Sequence, residues 1–241
     1  GWSWMGSLTY SENDREVYQP DTISSRLSAA LSGAGGPSGT ESFSPFDPSA
    51  NSPELIEWLS YQTFTNKKTD LTVADFVVSG DLFEMSAGPV GFAAGAQWRE
   101  ESYSANRNEL YTQSIDPATG ATIPVDLIFL GGGLPIDESR DSYAVFAEAN
   151  FPLTSSLEAN LAVRYEDLSS DSSIDPKLSL RWQAADWLVL RASASSAFRE
   201  PSLVQVYNQE TSLQGLVDPA SGSSSALFVR VNSQGSTALE P

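Results

Sequence analysis

From Val90 to Arg99 apolar and other residues take turns along the chain. Val90, Phe92, Ala94, Ala96 and Trp98 fall on one set of positions, and Gly91, Ala93, Gly95, Gln97 and Arg99 on the other. A two-residue period is the signature of a β-strand. The pattern recurs. Trp2, Trp4, Gly6, Leu8 and Tyr10 alternate with Ser3, Met5, Ser7 and Thr9. Tyr143, Val145, Ala147, Ala149 and Phe151 alternate with Ala144, Phe146, Glu148 and Asn150. Leu157, Ala159, Leu161, Val163 and Tyr165 form a further set, as do Leu178, Leu180 and Trp182, and Leu188, Leu190, Ala192 and Ala194. Segment 71–84 is extended but less regular. The pattern predicts seven strands, with an eighth at 226–231, "ALFVRV".

The connections between these strands alternate in length. A long segment at 12–70 is followed by the tight turn "MSAGP" at 85–89, whose Gly and Pro are turn formers. Next come a long loop at about 104–140, the turn "PLTSS", a medium loop "SSDSSID", the turn "AAD" and a long connection after Phe198. In an antiparallel meander, alternate connections lie at opposite ends of the sheet. All short turns therefore fall at one end and all longer loops at the other, as in a transmembrane barrel. Within 12–70, "SPELIEWL" predicts a short helix with Ser52 as N-cap and Pro53 at its first position, and "TISSRLSAAL" a second. The Gly-, Ser- and Pro-rich stretch between them predicts irregular chain.

Charge falls on one face only: Glu158, Arg164 and Glu166, then Lys177 and Arg181, then Arg191. The opposite face is apolar, with Trp98, Tyr143, Phe151, Tyr165 and Trp182 near its ends. Membrane interfaces select aromatic residues in such places. An antiparallel sandwich with one buried face explains the alternation equally well. It does not explain the segregated loops or the many alanines on the apolar face.

Composition narrows the chemistry. The 241 residues carry 31 Asp and Glu against 13 Lys and Arg, a net charge of −18, which argues against a nucleic-acid partner. Without cysteine or histidine there is no disulfide, no thiol catalysis, no Ser-His-Asp triad and no ordinary zinc site. No carboxylate pair stands out from the general acidity as a catalytic couple. No metal or cofactor is expected, and no enzyme activity. No apolar run is long enough for a spanning helix. The start, "GWSWMGSLTY", has neither the basic beginning nor the unbroken apolar run of a signal peptide and sits mid-pattern, so the chain is expected to be a piece of a larger protein.

Four stretches together resemble one family. They are "GDLFEMSAGPVGFAAGAQWREE" (80–101), "RDSYAVFAEANFPLTSSLEANLAVRYEDLS" (140–169), "DPKLSLRWQAADWLVLRASASSAFREPSL" (175–203) and the terminal "GSTALEP". In order and spacing they are similar to the barrel of TonB-dependent outer-membrane receptors, best over 71–203. The family's loop cysteine has no counterpart in "TESFSPFDPSANS". The resemblance implies an all-β antiparallel meander forming seven or eight strands of a 22-stranded transmembrane barrel. It places 1–241 within that barrel domain, with 12–70 an extracellular loop and 204–241 a loop and the start of the next strand. It further implies the bacterial outer membrane, lipid around the barrel, a plug domain and the remaining strands in the same protein. TonB, engaged through an N-terminal region outside this chain, would supply energy for uptake of a ferric siderophore, cobalamin, haem or an oligosaccharide. A soluble or surface β-module that binds carbohydrate is the alternative.

The candidate site residues follow from alternation and from that resemblance. Arg99, Arg164, Glu166, Lys177, Arg181 and Arg191 are expected toward the lumen or plug, and Arg199 of "FREP" with them. Phe43, Phe46, Trp58 and Tyr61 are the aromatic candidates for ligand contact in the first long loop, set against folding of that loop on itself. Asp167, Asp171 and Asp175 have oxygen-rich spacing but lack the glycine and closing glutamate of a calcium loop. On the 90–99 strand, Gly91, Ala93 and Gly95 are expected to leave room in the lumen, so a charge should be tolerated better at Gly95 than at Ala94.

Overall fold

The computed structural model describes residues 1–169, 171–222, 225–236 and 238. The elements in chain order are β1 (Ser3–Thr22), α1 (Ser24–Leu31), α2 (Pro53–Leu59), β2 (Ser60–Met85), β3 (Gly88–Arg107), β4 (Ser114–Ile115), β5 (Thr122–Ile123), β6 (Leu130–Gly133), β7 (Ile136–Thr154), β8 (Leu157–Asp167), β9 (Ser172–Ala185), β10 (Leu188–Ser195), α3 (Leu203–Tyr207), β11 (Gln209–Leu216) and β12 (Leu227–Gln234). Seven strands form one antiparallel sheet in the order β1-β2-β3-β7-β8-β9-β10, curled as part of a barrel wall.

Register lines up the two faces across all seven strands. Leu8 stands opposite Ala74, which stands opposite Trp98, then Tyr143. Further along, Ala149 is opposite Leu161, then Leu178, then Ala194. The apolar positions thus make one continuous surface, and among the described residues it stays uncovered except at the turn end, where Val90, expected on the open apolar face, is buried. Trp4, Leu8, Val145 and Trp182 are all exposed, Trp4 by 76%. A sandwich would bury that face under a second sheet, so the sandwich reading fails here. The described residues that are fully buried lie mostly in the loops and at the sheet's upper end.

Turns at one end are minimal. Met85 pairs with Gly88 across Ser86 and Ala87, and Gly88 takes a positive φ of 135° that only glycine adopts without strain. Two-residue connections also join β7 to β8 and β9 to β10. The other end carries the connections 23–59, 108–135, 168–171 and the segment after Ser195.

Three expectations change. The first connection is 23–59, not 12–70, because β1 and β2 stay paired from Ser11–Leu71 up to Thr22–Ser60. The connection expected over 169–175 shrinks, since β9 already begins at Ser172. Segment 226–231 is not an eighth strand of the large sheet. It belongs to β12, which pairs with β11, and β11 in turn pairs with β6 in a small sheet among the loops. Residues 237 and 239–241 of "GSTALEP" lie outside the described residues.

Both expected helices form. Ser52 Oγ accepts the Leu55 N–H at 3.0 Å and donates to Glu41 at 2.5 Å, so one hydroxyl caps α2 and ties it to the irregular stretch before it. Leu55 and Leu59 then bury against Ala30 of α1. Ser52→Ala should cost about 1 kcal/mol of local stability. Limited proteolysis of the intact protein should cut within 23–59 several-fold faster, while an unchanged rate would show that the cap does not hold this loop.

The polar face and its loops

Outward and inward character is set strand by strand. Near the loop end, the apolar face closes with a row of aromatic residues whose polar groups turn toward the loops. Trp98 Nε1 donates to Asp141 at 3.0 Å, and the Tyr10 hydroxyl lies 2.7 Å from Glu12 and 2.9 Å from Asp70, its one proton shared between the two carboxylates. Beyond them the same face turns polar, with Glu12, Asp14 and Glu16 on β1 and Lys68 and Asp70 on β2. At the turn end, Trp2 lies edge-on to Phe92 with ring centres 6.2 Å apart. Gly80 makes this possible, for a Cβ there would lie 2.7 Å from the Trp2 ring. From Trp2 to Tyr10 the apolar stretch is about nine residues, the length of a tilted membrane crossing.

The other face holds the charged candidates. Arg99 on β3, Arg164 and Glu166 on β8, Lys177 and Arg181 on β9 and Arg191 on β10 share it by register. A chain of polar contacts crosses the sheet there. Asp75 on β2 accepts Gln97 Nε2 at 2.7 Å, Gln97 Oε1 accepts Arg164 Nη2 at 2.9 Å, and Arg164 Nε reaches Glu166 at 2.8 Å. Small Ala144, opposite both Gln97 and Glu166, leaves the space through which Arg164 spans β7. Arg181 pairs with Glu158 at 3.3 Å. Arg191 sits directly opposite Arg181, an arrangement of like charges that is unfavourable unless another group compensates it. Arg181 and Arg191 line, with Asn150, Asn160 and Ser179, a shallow cavity of about 390 Å³.

Arg199 lies outside the strands that build this face. It is exposed in the irregular segment after β10. Its neighbour Glu200 is the residue that turns in, pairing with Arg140 of β7 at 3.2 Å. Arg140 also binds Glu101 at 2.8 Å, and Glu101 lies 3.3 Å from Arg99. The sequence reading missed Arg140, Glu101 and Glu200. They lie beyond the apolar stretch, where no alternation marks them.

Gly95 departs from expectation as well. It does not leave open lumen, because the Phe146 ring lies across it. A Cβ at Gly95 would stand 2.5 Å from Phe146 and 2.6 Å from the Phe76 carbonyl oxygen.

Of the loop aromatics, Phe43 and Trp58 pack on the Ala30–Leu55–Leu59 cluster, and the Arg26 guanidinium lies 5.3 Å over the Trp58 ring. Tyr61 packs against Ile23, Tyr111, Val125 and Leu127. Phe46 alone of the four is bare, at 97% exposure. The loops are also cross-tied. Asp21 accepts the backbone N–H groups of Phe129 and Leu130, and Arg230 donates to the Leu127 carbonyl at 2.7 Å. Burial pushes the Tyr111 phenol up, and the Ala118 N–H with the Thr119 hydroxyl holds the Asp116 carboxyl below its usual range. The "GGG" run at 131–133 is a packing strip, since a Cβ at Gly131 would lie 2.4 Å from the Thr211 carbonyl oxygen. No cluster among the described residues has the donors to hold a metal ion, Asp167, Asp171 and Asp175 included.

Against family models, residues 1–241 match the one described as TonB dependent receptor-like, beta-barrel. No curated protein and no solved structure matches.

Proposed function

Because the chain belongs to the TonB-dependent receptor β-barrel family, whose members are outer-membrane transporters, we propose that it builds part of the wall of a bacterial outer-membrane uptake receptor. The observation that carries this reading is the split between the faces. One face is a continuous uncovered apolar surface bounded by aromatic rows, and the other a cross-linked polar surface. In this assignment the apolar face meets lipid and the polar face the lumen, where Arg99, Arg164, Glu166, Lys177, Arg181 and Arg191 meet a plug domain or passing cargo.

The seven-stranded sheet leaves β1 and β10 with open edges. Unpaired backbone groups are untenable in hydrocarbon, so the remaining strands of the barrel complete it. The cargo is a scarce or large nutrient such as a ferric siderophore, cobalamin, haem or an oligosaccharide, and energy arrives through TonB. The loops 23–59 and 108–135, with Phe46 exposed on the first, face the cell exterior.

The test is fractionation of the intact receptor together with uptake assays. It should sediment with outer membranes, need detergent for extraction and run as a heat-modifiable band. Accumulation of one nutrient from a panel of labelled siderophores, corrinoids, haem and oligosaccharides should depend on both the receptor and TonB. Free solubility without detergent would overturn the assignment.

A further inference from the structure

The segment after β10 does not continue the wall. It crosses the loop end of β8 and β9 and lands on the polar face of β7 and β3. Ser196 donates its N–H to the Pro176 carbonyl at 3.2 Å, and Ser169, in the β8–β9 connection, donates its hydroxyl to Glu200 at 3.2 Å. Glu200 then meets Arg140, whose Nη1 also donates to the Pro201 carbonyl at 2.7 Å. Both side chains of that pair are largely buried, Arg140 at 10% and Glu200 at 5% exposure. One turn on, Leu203 of α3 buries against Tyr103, Ala105 and Ile136 of the wall. The helix is short, and its start is fixed by a reciprocal cap between Ser202 and Gln205. Past it the Tyr103 hydroxyl donates to Asn208 at 3.4 Å, and Lys67 pairs with Glu210 at 3.2 Å.

This segment roofs a cavity of about 290 Å³ on the polar face. Its walls include Ser11, Thr69, Leu71, Glu101 and Tyr103, and Leu203 and Val204 cover it. We propose that residues 196–208 are a strap held shut over this part of the lumenal wall, and that the Arg140–Glu200 ion pair is its latch. The proposal rests on the lumenal assignment of the polar face for its meaning but not for its test. A buried ion pair is a natural release point. Neutralising Glu200 removes the strap's ionic tie to the wall and leaves the strap held by its hydrogen bonds and its apolar anchor alone. Arg140 keeps Glu101 when the strap lifts, so the wall side of the latch stays satisfied. Glu200 gains water. Opening therefore strands no charge, whereas a strap fixed only by apolar packing has no such switch.

Ala105 is fully buried beneath the strap and the sequence has no cysteine, so Ala105→Cys is a small and specific reporter. Purified intact receptor in detergent, tested with a bulky maleimide, reads the strap independently of membrane location or transport. Labelling should be slow with the strap intact and at least tenfold faster after Glu200→Gln, with the heat-modifiable band retained. Leu203→Ser removes the apolar anchor from the same strap without touching the ion pair and should also speed labelling. Rapid labelling of Ala105→Cys alone would overturn the strap. Labelling accelerated by Leu203→Ser but not by Glu200→Gln would overturn the latch.

Discussion

Ala94→Arg in the intact receptor should lose roughly 2–4 kcal/mol of barrel stability, the cost of a cation at the centre of a lipid-facing strand. Ala94 lies midway along the apolar row from Val90 to Trp98, and its neighbours across the sheet are Val78 and Ala147. No carboxylate stands beside it to offset the charge. The neighbouring Ala93 is the matched control. It lies on the polar face directly opposite Glu148, so Ala93→Arg gains a counter-charge and should fold as the parent does. The heat-resistant fraction on a semi-native gel, and the amount reaching the outer membrane, should both fall sharply for Ala94→Arg and stay near the parent level for Ala93→Arg. Equal losses would mean that the two faces do not meet different solvents.

A single methyl group at Gly95 should be nearly as harmful for a different reason. Both obstacles to it are close: the Phe146 ring at 2.5 Å and the Phe76 carbonyl oxygen at 2.6 Å. Forcing extra volume into a tight contact costs about 1–3 kcal/mol. Gly95→Ala should lower the barrel's unfolding midpoint in urea with its slope unchanged. Adding Phe146→Ala should recover part of the loss, since the ring can be removed but the backbone carbonyl cannot. Full recovery would place the whole clash at the ring, and no loss from Gly95→Ala alone would refute the packing. Glycine here seats an aromatic ring from the adjacent strand, as Gly80 does for Trp2 on the opposite face. In sequence the two glycines read alike, because small size says nothing about whether the space beside it is empty or filled.

The parts of the fold that were legible are those where one face is apolar and the other polar. Strands such as Leu157–Asp167 announce themselves because every second residue is apolar. That signal vanishes over Ser11–Thr22 and Ser60–Asp70, where one face meets water and the loops cover the other through polar residues such as Asp21, Thr63 and Thr65. "SENDREVYQPDT" has no apolar rhythm, so it reads as loop, yet its backbone pairs residue for residue with β2. The reverse error occurs at "ALFVRV", whose apolar rhythm is real but serves a hairpin on the loops. The site was legible to the same extent. Arg164, Glu166 and Arg181 follow from strand parity alone, and so does the face they share. Glu200 and Arg140 do not, because the first lies in irregular chain and the second beyond the apolar stretch. Their pairing depends on how the segment after β10 folds back, which no local period records.

The extended pairing of β1 with β2 has a mechanical consequence. Above Tyr10 the two strands stay joined for twelve more residues, or about 40 Å along the strand at ~3.3 Å per residue. At a barrel tilt of 35–45° this is a rise of roughly 28–33 Å. The first loop therefore stands on a stiff parapet at a set height above the aromatic belt. With that loop outside the cell, as proposed, a phage tail fibre, an antibody or a diffusing nutrient approaching that side would meet the loop well before the lipid surface. Shortening both strands by matched pairs of residues would lower that contact point in even steps, without altering either the loop or the membrane-embedded band.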